Sequence, residues 1–250
     1  MDLSVLEQFN TIDLKNVGKA GFMNRVDVKF PINTQTLFDK VLPILKDDYM
    51  VLQIDEKDLM SYRTVYFDTP DNRMYKDHHN GKKERYKVRK REYLDTGLKF
   101  LEVKHKDNKG KTKKKRIEIQ TSLDQIYPEE YEFLSKHIIY DPSLLKSVLG
   151  NTFKRITLVK NDMSERCTLD SVICFDFNNK QNEMKDFSVA ELKHESGAPN
   201  SILQKALMNC GAREIGFSKY CTGRVVVNNN NLKTNLFKQK MILYNKIVNK

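Results

Sequence analysis

Arg85-Tyr86-Lys87-Val88-Arg89-Lys90-Arg91-Glu92-Tyr93 is the stretch on which the fold turns. Arg85, Lys87, Arg89 and Arg91 recur at every second position, and in an extended strand all of them leave the same face. Tyr86, Val88, Lys90 and Glu92 leave the other. An ordinary half-covered sheet alternates apolar and polar residues. A row made only of cations is a different object, because each charge must find water or a counter-anion.

Neighbouring segments repeat the pattern. Glu102, Lys104 and Lys106 share a face against Leu101 and Val103, and Lys114, Arg116 and Glu118 oppose Ile117 and Ile119. Arg25, Asp27 and Lys29 alternate with Val26, Val28 and Phe30, while Glu191, Lys193 and Glu195 are backed by Ala190 and Leu192. Any one of these strands fits a solvated face whose apolar side is covered by helices. Together they set like charges side by side, which repel across a ladder. An open sheet would answer with water, a closed barrel with a bound anion. The interleaved carboxylates Asp27, Glu102, Glu118, Glu191 and Glu195 would oppose a nucleic-acid backbone. Mg²⁺ and Mn²⁺, in contrast, take carboxylate and phosphate oxygens together. The pattern therefore predicts a metal and polyphosphate site on an inner face, with no nucleic-acid partner.

The bulk properties are consistent with this. The 250 residues carry a net charge of +11, with 31% charged and 39% hydrophobic residues, so a core is feasible and an anionic partner is favoured. Cys167, Cys174, Cys210 and Cys221 form no C-x-x-C pair, which predicts reduced thiols and a cytoplasmic setting. No signal peptide and no run of about 18 apolar residues is present, which predicts a soluble protein.

Strands are predicted at 23–30, 62–68, 83–94, 98–106, 112–120, 152–159, 166–169, 172–177 and 187–195. Turn residues around Asp95-Thr96-Gly97 and Asp107-Asn108-Lys109-Gly110 make the middle three a meander. Helices are predicted at 34–45, 128–136, 142–149 and 199–210. The expected fold is α+β and mainly β: a closed antiparallel barrel of eight strands, forming a tunnel, with flanking helices. Residues 1–227 read as a single domain. An Asn-rich linker and a Lys-rich amphipathic helix follow at 228–250, expected to pack on the same domain, with acidic lipid as the other possible surface for the tail.

At this point the residues resemble a known family. Arg25-Val-Asp-Val-Lys29-Phe30, Tyr62-Arg-Thr-Val-Tyr66-Phe67-Asp68-Thr69, Tyr86-Lys-Val-Arg89-Lys-Arg91-Glu-Tyr93 and Phe100-Leu-Glu102-Val-Lys104 are similar to segments of the VTC domain. So are Arg166-x-Thr168-x-Asp170, Glu191-Leu-Lys193 and Phe217-Ser218-Lys219-Tyr220. VTC domains are polyphosphate polymerases among the triphosphate tunnel metalloenzymes, which also include the CYTH proteins. The resemblance is to the stand-alone prokaryotic type, without the sensor domain and membrane helices of eukaryotic relatives.

The resemblance implies phosphate binding by Lys29, Lys87, Arg89, Arg91, Lys104, Lys114, Arg116, Arg155, Arg166, Lys193, Ser218 and Lys219. Of these it makes Arg89, Arg91 and Lys219 the catalytic cations. Glu191 resembles the family's metal-ligating glutamate, with Glu102 and Glu118 as further candidates for Mn or Mg. Where family polymerases tend to carry a lysine before the Ser-Lys pair, this chain has Ile215, Gly216 and Phe217. The implied activity is metal-dependent phosphoryl transfer from ATP to inorganic polyphosphate, by a monomer or small homo-oligomer. Triphosphate hydrolysis on the same fold, and polyphosphate or nucleic-acid binding without catalysis, stay open here. Two decoys fall away. Gly110-Lys111-Thr112 lacks the earlier glycine of a phosphate-binding loop, and His78-His79 lacks companions for zinc.

Overall fold

In the computed structural model, which describes residues 1–17, 25–195, 201–227 and 232–249, the strands follow the alternating segments closely. They are β1 (Asn10–Asp13), β2 (Arg25–Asn33), β3 (Tyr49–Gln53), β4 (Met60–Asp68), β5 (Arg85–Tyr93), β6 (Lys99–Lys106), β7 (Thr112–Glu118), β8 (Lys146–Lys160), β9 (Glu165–Phe177), β10 (Lys180–Glu183) and β11 (Phe187–Glu195). All belong to one sheet of eleven strands with the path β2-β11-β9-β8-β4-β5-β6-β7. β3 joins β8 and carries β1 in parallel, and β10 pairs with β9.

The expected closed barrel of eight strands is corrected here. No ladder joins β2 to β7 among the described residues, so the main path of the sheet has two open ends. Both edges carry cations on the same side, Lys29 on one and Lys114 and Arg116 on the other, and like charges set opposite one another resist pairing. The sheet nevertheless curls. Lys104 on β6 lies within electrostatic reach of Lys29 and Asp27 on β2 and of Glu191 on β11, although these strands stand near opposite ends of the path. The result is an open trough with the charged rows on its concave side.

The convex side holds the apolar alternates. Val28, Phe30, Ile156, Leu158, Leu169 and Leu192 pack under Leu37, Val41, Leu42 and Leu45, and under Leu203 and Leu207 of the helix Ile202–Asn209. Farther along, Tyr86, Val88, Leu101 and Val103 are covered by Leu134 and Ile138. The predicted helix at 34–45 forms with a π turn at Leu37–Val41, just before Pro43. Proline has no N–H to give to the carbonyl four residues back, and the widened turn accommodates it.

The predicted helix at 142–149 is instead a 3-10 turn, Pro142–Leu144, followed by the start of β8. Leu145, Val148 and Leu149 suit the helical period, yet they are buried at and just before the start of β8. The expected strands 166–169 and 172–177 are one strand, β9, with a left-handed residue, Val172 at φ 49°, between them. Residues 23 and 24 of the first expected strand, 199 and 200 of the last expected helix and 228–231 of the expected linker lie outside the described residues. The tail helix Lys238–Val248 packs on the domain itself, with Tyr244 buried against Phe187 and Phe217. None of the described helices is long and apolar enough to cross a membrane.

Candidate functional site

The ladders place the predicted cations in rows across the trough. Lys87, Lys104 and Lys114 are direct neighbours on β5, β6 and β7, and so are Arg89, Glu102 and Arg116. Glu102 is buried and receives Arg89 Nε at 2.6 Å and the Lys114 ammonium. Burial works to raise its pKa, but Arg89, Arg91 and Lys114 bring it down to about 2. Arg116 lies over the Phe100 ring at 4.5 Å, and Lys104 is exposed.

One end of the concavity has an aromatic floor. Tyr62 and Phe153 stack at 4.9 Å with an interplanar angle of 3°. Arg91 and Arg155 lie over this pair, at 5.5 Å and 5.3 Å from the Phe153 centroid, and the Lys219 ammonium is 4.2 Å from the same ring. Arg91 Nε also donates to Thr64 Oγ1 at 3.1 Å. Asp170 is the common anion: Arg155 grips it through two N–H groups at 2.5 and 2.8 Å, and Lys219 donates to Oδ2, one of the same two oxygens.

Lys219 arrives on the helix Lys219–Val226, which Ser218 caps by accepting from Cys221 N. Gly223 lets that helix press on the sheet. A Cβ there would run into the Phe175 ring and the Leu149 side chain, so only glycine permits the close approach that delivers Lys219. Lys87 Nζ donates to Ser218 Oγ at 3.0 Å, joining the helix start to the lysine row.

At the other end, Glu191 lies between Lys29 at 3.1 Å and Lys193 at 2.7 Å. Burial opposes its ionisation, yet Lys193 and Lys29 hold it well below the usual carboxylate range. Arg166 occupies the ladder position next to Lys193.

Crowding of like charge shows in the titration behaviour. Burial, reinforced by Lys104, Arg89 and Arg85, lowers Lys87 to about 8. Burial lowers Lys219 to about 8 as well, with Arg155 and Arg91 opposing Asp170, and Lys114 falls to about 8 despite Glu102. Arg91 is brought down to about 10 by burial together with Arg89 and Arg155.

The carboxylates predicted as metal ligands are not assembled into one set. Glu102 is engaged by Arg89 and Lys114, and Glu118 is exposed opposite Phe100. Among the described residues no three His, Cys, Asp or Glu side chains gather to hold a cation. Glu191 is likewise engaged, by Lys29 and Lys193, but it is an ionised carboxylate beside lysines that would share the same phosphates as a bridging ion. Mg²⁺ commonly keeps one or two protein carboxylates and takes its other oxygens from phosphate and water, so a single glutamate fits that mode.

Asp170, Thr64 and the Tyr62–Phe153 floor were not among the predicted site residues. Asp170 had a usable signal, since it continues the two-residue step of Arg166 and Thr168. The aromatic floor had none, because Tyr62 and Phe153 meet only through the β4–β8 ladder. Lys90 faces away from the trough and is fully buried on the convex side, 2.7 Å from Glu130.

A family model described as the VTC domain matches residues 24–228. Among solved structures, the chain is similar to a candidate adenylyl cyclase from Hippeastrum described as having a dominant triphosphatase activity. That pair shares 13% identity over 83% of this chain and 98% of that chain, with a TM-score of 0.51. A candidate adenylate cyclase from Vibrio parahaemolyticus matches at 14% identity over 81% of this chain and 99% of that one, with a TM-score of 0.47. At such identity the Hippeastrum likeness speaks for the fold alone. No curated protein matches the sequence.

Proposed function

The chain belongs to the VTC domain family, and from that premise we propose that it binds the triphosphate of ATP along the trough and transfers the terminal phosphoryl group to inorganic polyphosphate. The observation that carries this reading is the crowding of Lys87, Arg89, Arg91, Lys114, Arg155 and Lys219 on one concave face. Burial, with neighbouring cations adding to it, brings Lys87, Lys114 and Lys219 down to about 8, while Glu102 and Asp170 keep Arg89 and Arg155 charged. A linear polyanion is the ligand that relieves such a row.

Phosphoryl transfer asks mainly for positioning and charge neutralisation. Lys87, Lys104 and Lys114 would hold successive phosphates as point charges, and Arg89 and Arg91 would each offer paired N–H donors to phosphate oxygens. A terminal oxygen of the acceptor chain attacks the γ-phosphorus, the bridge to the β-phosphate breaks, and ADP leaves with the electron pair. Arg91, Arg155 and Lys219 crowd one spot above Phe153, where charge developing on the transferred group meets fixed donors with little water. Asp170 keeps Arg155 and Lys219 aimed there. Mn²⁺ or Mg²⁺, held by Glu191 and phosphate oxygens, would supply Lewis-acid neutralisation of the triphosphate.

Incubating the protein with ATP and Mn²⁺ and resolving the products by electrophoresis tests this. A ladder of phosphate chains is expected. Hydrolysis is the second reading, favoured by the absence of a cation at Ile215, Gly216 and Phe217, and it predicts orthophosphate alone. Metal-indifferent ATP turnover together with steeply salt-dependent RNA binding would favour a binding module instead.

A further inference from the structure

The same strands that present the trough carry a second basic feature on their reverse face. There the ladders align Tyr86, His105 and Lys113 in one row and Val88, Val103 and Lys115 in the next. The segment after the helix Tyr131–Ser135 brings Lys136 and His137 over these rows and leaves a hollow of about 360 Å³ between them. That lies near the lower end of the roughly 300–1,000 Å³ usual for small-ligand sites.

Its lining contains lysines 113, 115 and 136, two imidazoles and no carboxylate. Among the described residues Lys113 and Lys115 make no ion pair. Lys136 has only the exposed partner Glu132 at 2.5 Å, one turn away on the surface, and such pairs contribute little. The imidazoles are braced. His105 stacks flat on Tyr86 at 4.2 Å and 1°, with Nε2 3.1 Å from Glu84, and His137 sits edge-on to Phe133 at 4.8 Å.

Lysines on an edge strand serve to block pairing with other chains, and that alone explains charge on β7. It does not require a hollow lined by three lysines and two oriented imidazoles. Lys113 and Lys115 are two residues apart on a strand, so their backbones are about 7 Å apart, which is wide for one phosphate and suits several in a row. We propose that this hollow is a second anion site, distinct from the trough, which takes a short inorganic phosphate chain. The assignment holds whether the trough transfers phosphoryl groups or only binds them.

Histidine resonances separate the two sites. His105 and His137 line the hollow, whereas His78 lies beside Lys87 and Lys104 of the trough. Titrating the full chain, labelled in its imidazoles, with tripolyphosphate is expected to shift His105 and His137 saturably. In the Lys113→Gln/Lys115→Gln/Lys136→Gln variant their apparent Kd should rise at least tenfold while the His78 response is unchanged. Silence of His105 and His137 at concentrations that saturate His78 would overturn the site. So would an unchanged Kd in the variant, or a shift reproduced by sodium chloride at equal ionic strength. ATP is expected to bind the hollow more weakly than tripolyphosphate. Tighter binding of ATP there would reassign the ligand as a nucleotide and overturn the phosphate-chain assignment.

Discussion

The two halves of the trough solve opposite problems with the same residue types. Along β8, β9, β11 and β2 the cations come with partners: Arg155 with Asp170, and Lys29 and Lys193 with Glu191. Along β5, β6 and β7 a longer row, Lys87, Arg89, Arg91, Lys104, Lys114 and Arg116, shares the single buried carboxylate Glu102. The first half is held fixed by its own charges, with Asp170 and Glu191 kept ionised by their neighbours. The second has fewer carboxylates for its cations, and burial together with neighbouring cations lowers Lys87 and Lys114 to about 8. A compensated half sets geometry, and an uncompensated half demands a ligand.

The sharpest way to break this contrast is to remove the anion from the compensated half. Asp170→Ala leaves Arg155 and Lys219 buried without a counter-charge, and breaking such a pair costs about 3–5 kcal/mol. Urea unfolding is expected to show a loss of that size. A change below about 1 kcal/mol would mean the two cations find water or another partner, and the halves would not differ as described.

Removing a cation should do the reverse. Arg91→Ala and Lys219→Ala each delete a donor from the spot above Phe153, for which turnover of ATP is expected to fall about 10²–10³-fold. Stability should hold or rise, because Lys219 and Arg91 are both held against the cost of burial. Loss of activity accompanied by an equal loss of stability would place these residues in the scaffold. A smaller effect follows from Gly223→Ala. The new methyl group meets Phe175 and Leu149, so the helix must shift, at about 1–3 kcal/mol. Activity should drop more than stability, since Lys219 rides on the displaced helix, and comparing kcat with the unfolding midpoint checks it.

What the sequence made legible divides along the same line. The cation rows were readable because strand alternation is local: Arg85, Lys87, Arg89 and Arg91 announce a charged face without knowledge of any neighbour. Their counter-ions were not. Arg155 meets Asp170 through the β8–β9 register, and Lys219 meets Asp170 through a helix packed on the far side of a glycine, so both depend on tertiary geometry. The same limit explains the fold. β5, β6 and β7 were found because turn residues separate them. β10, Lys180-Gln181-Asn182-Glu183, has no apolar side to betray it, and β1 and β3 gain their place from pairing with each other and with β8. Closure was misjudged because it depends on how the β2 and β7 edges meet, and no local pattern records that.

The pH dependence of the lysines tests both halves in a single experiment. Lys87 and Lys219 titrate at about 8 in the folded chain against 10.5 for an unperturbed lysine. Below pH 8 both folded and unfolded chains hold these protons, and the cost of burying the charges is fully present. Between about pH 8 and 10.5 the unfolded chain binds more protons than the folded one, so the stability of the ligand-free protein rises with pH through these groups. Triphosphate binding works against that trend, because the phosphates need the ammonium form. Affinity for ATP without metal is therefore expected to fall above pH 8, by at most about tenfold per pH unit for each lysine that must recharge. Calorimetric titration at pH 7.5 and 9.5, paired with melting of the free protein at the same values, reads both slopes. Opposite signs are the signature of a cation row left short of counter-charge until phosphate arrives. A flat affinity across that interval would show that ATP does not use these lysines as charges.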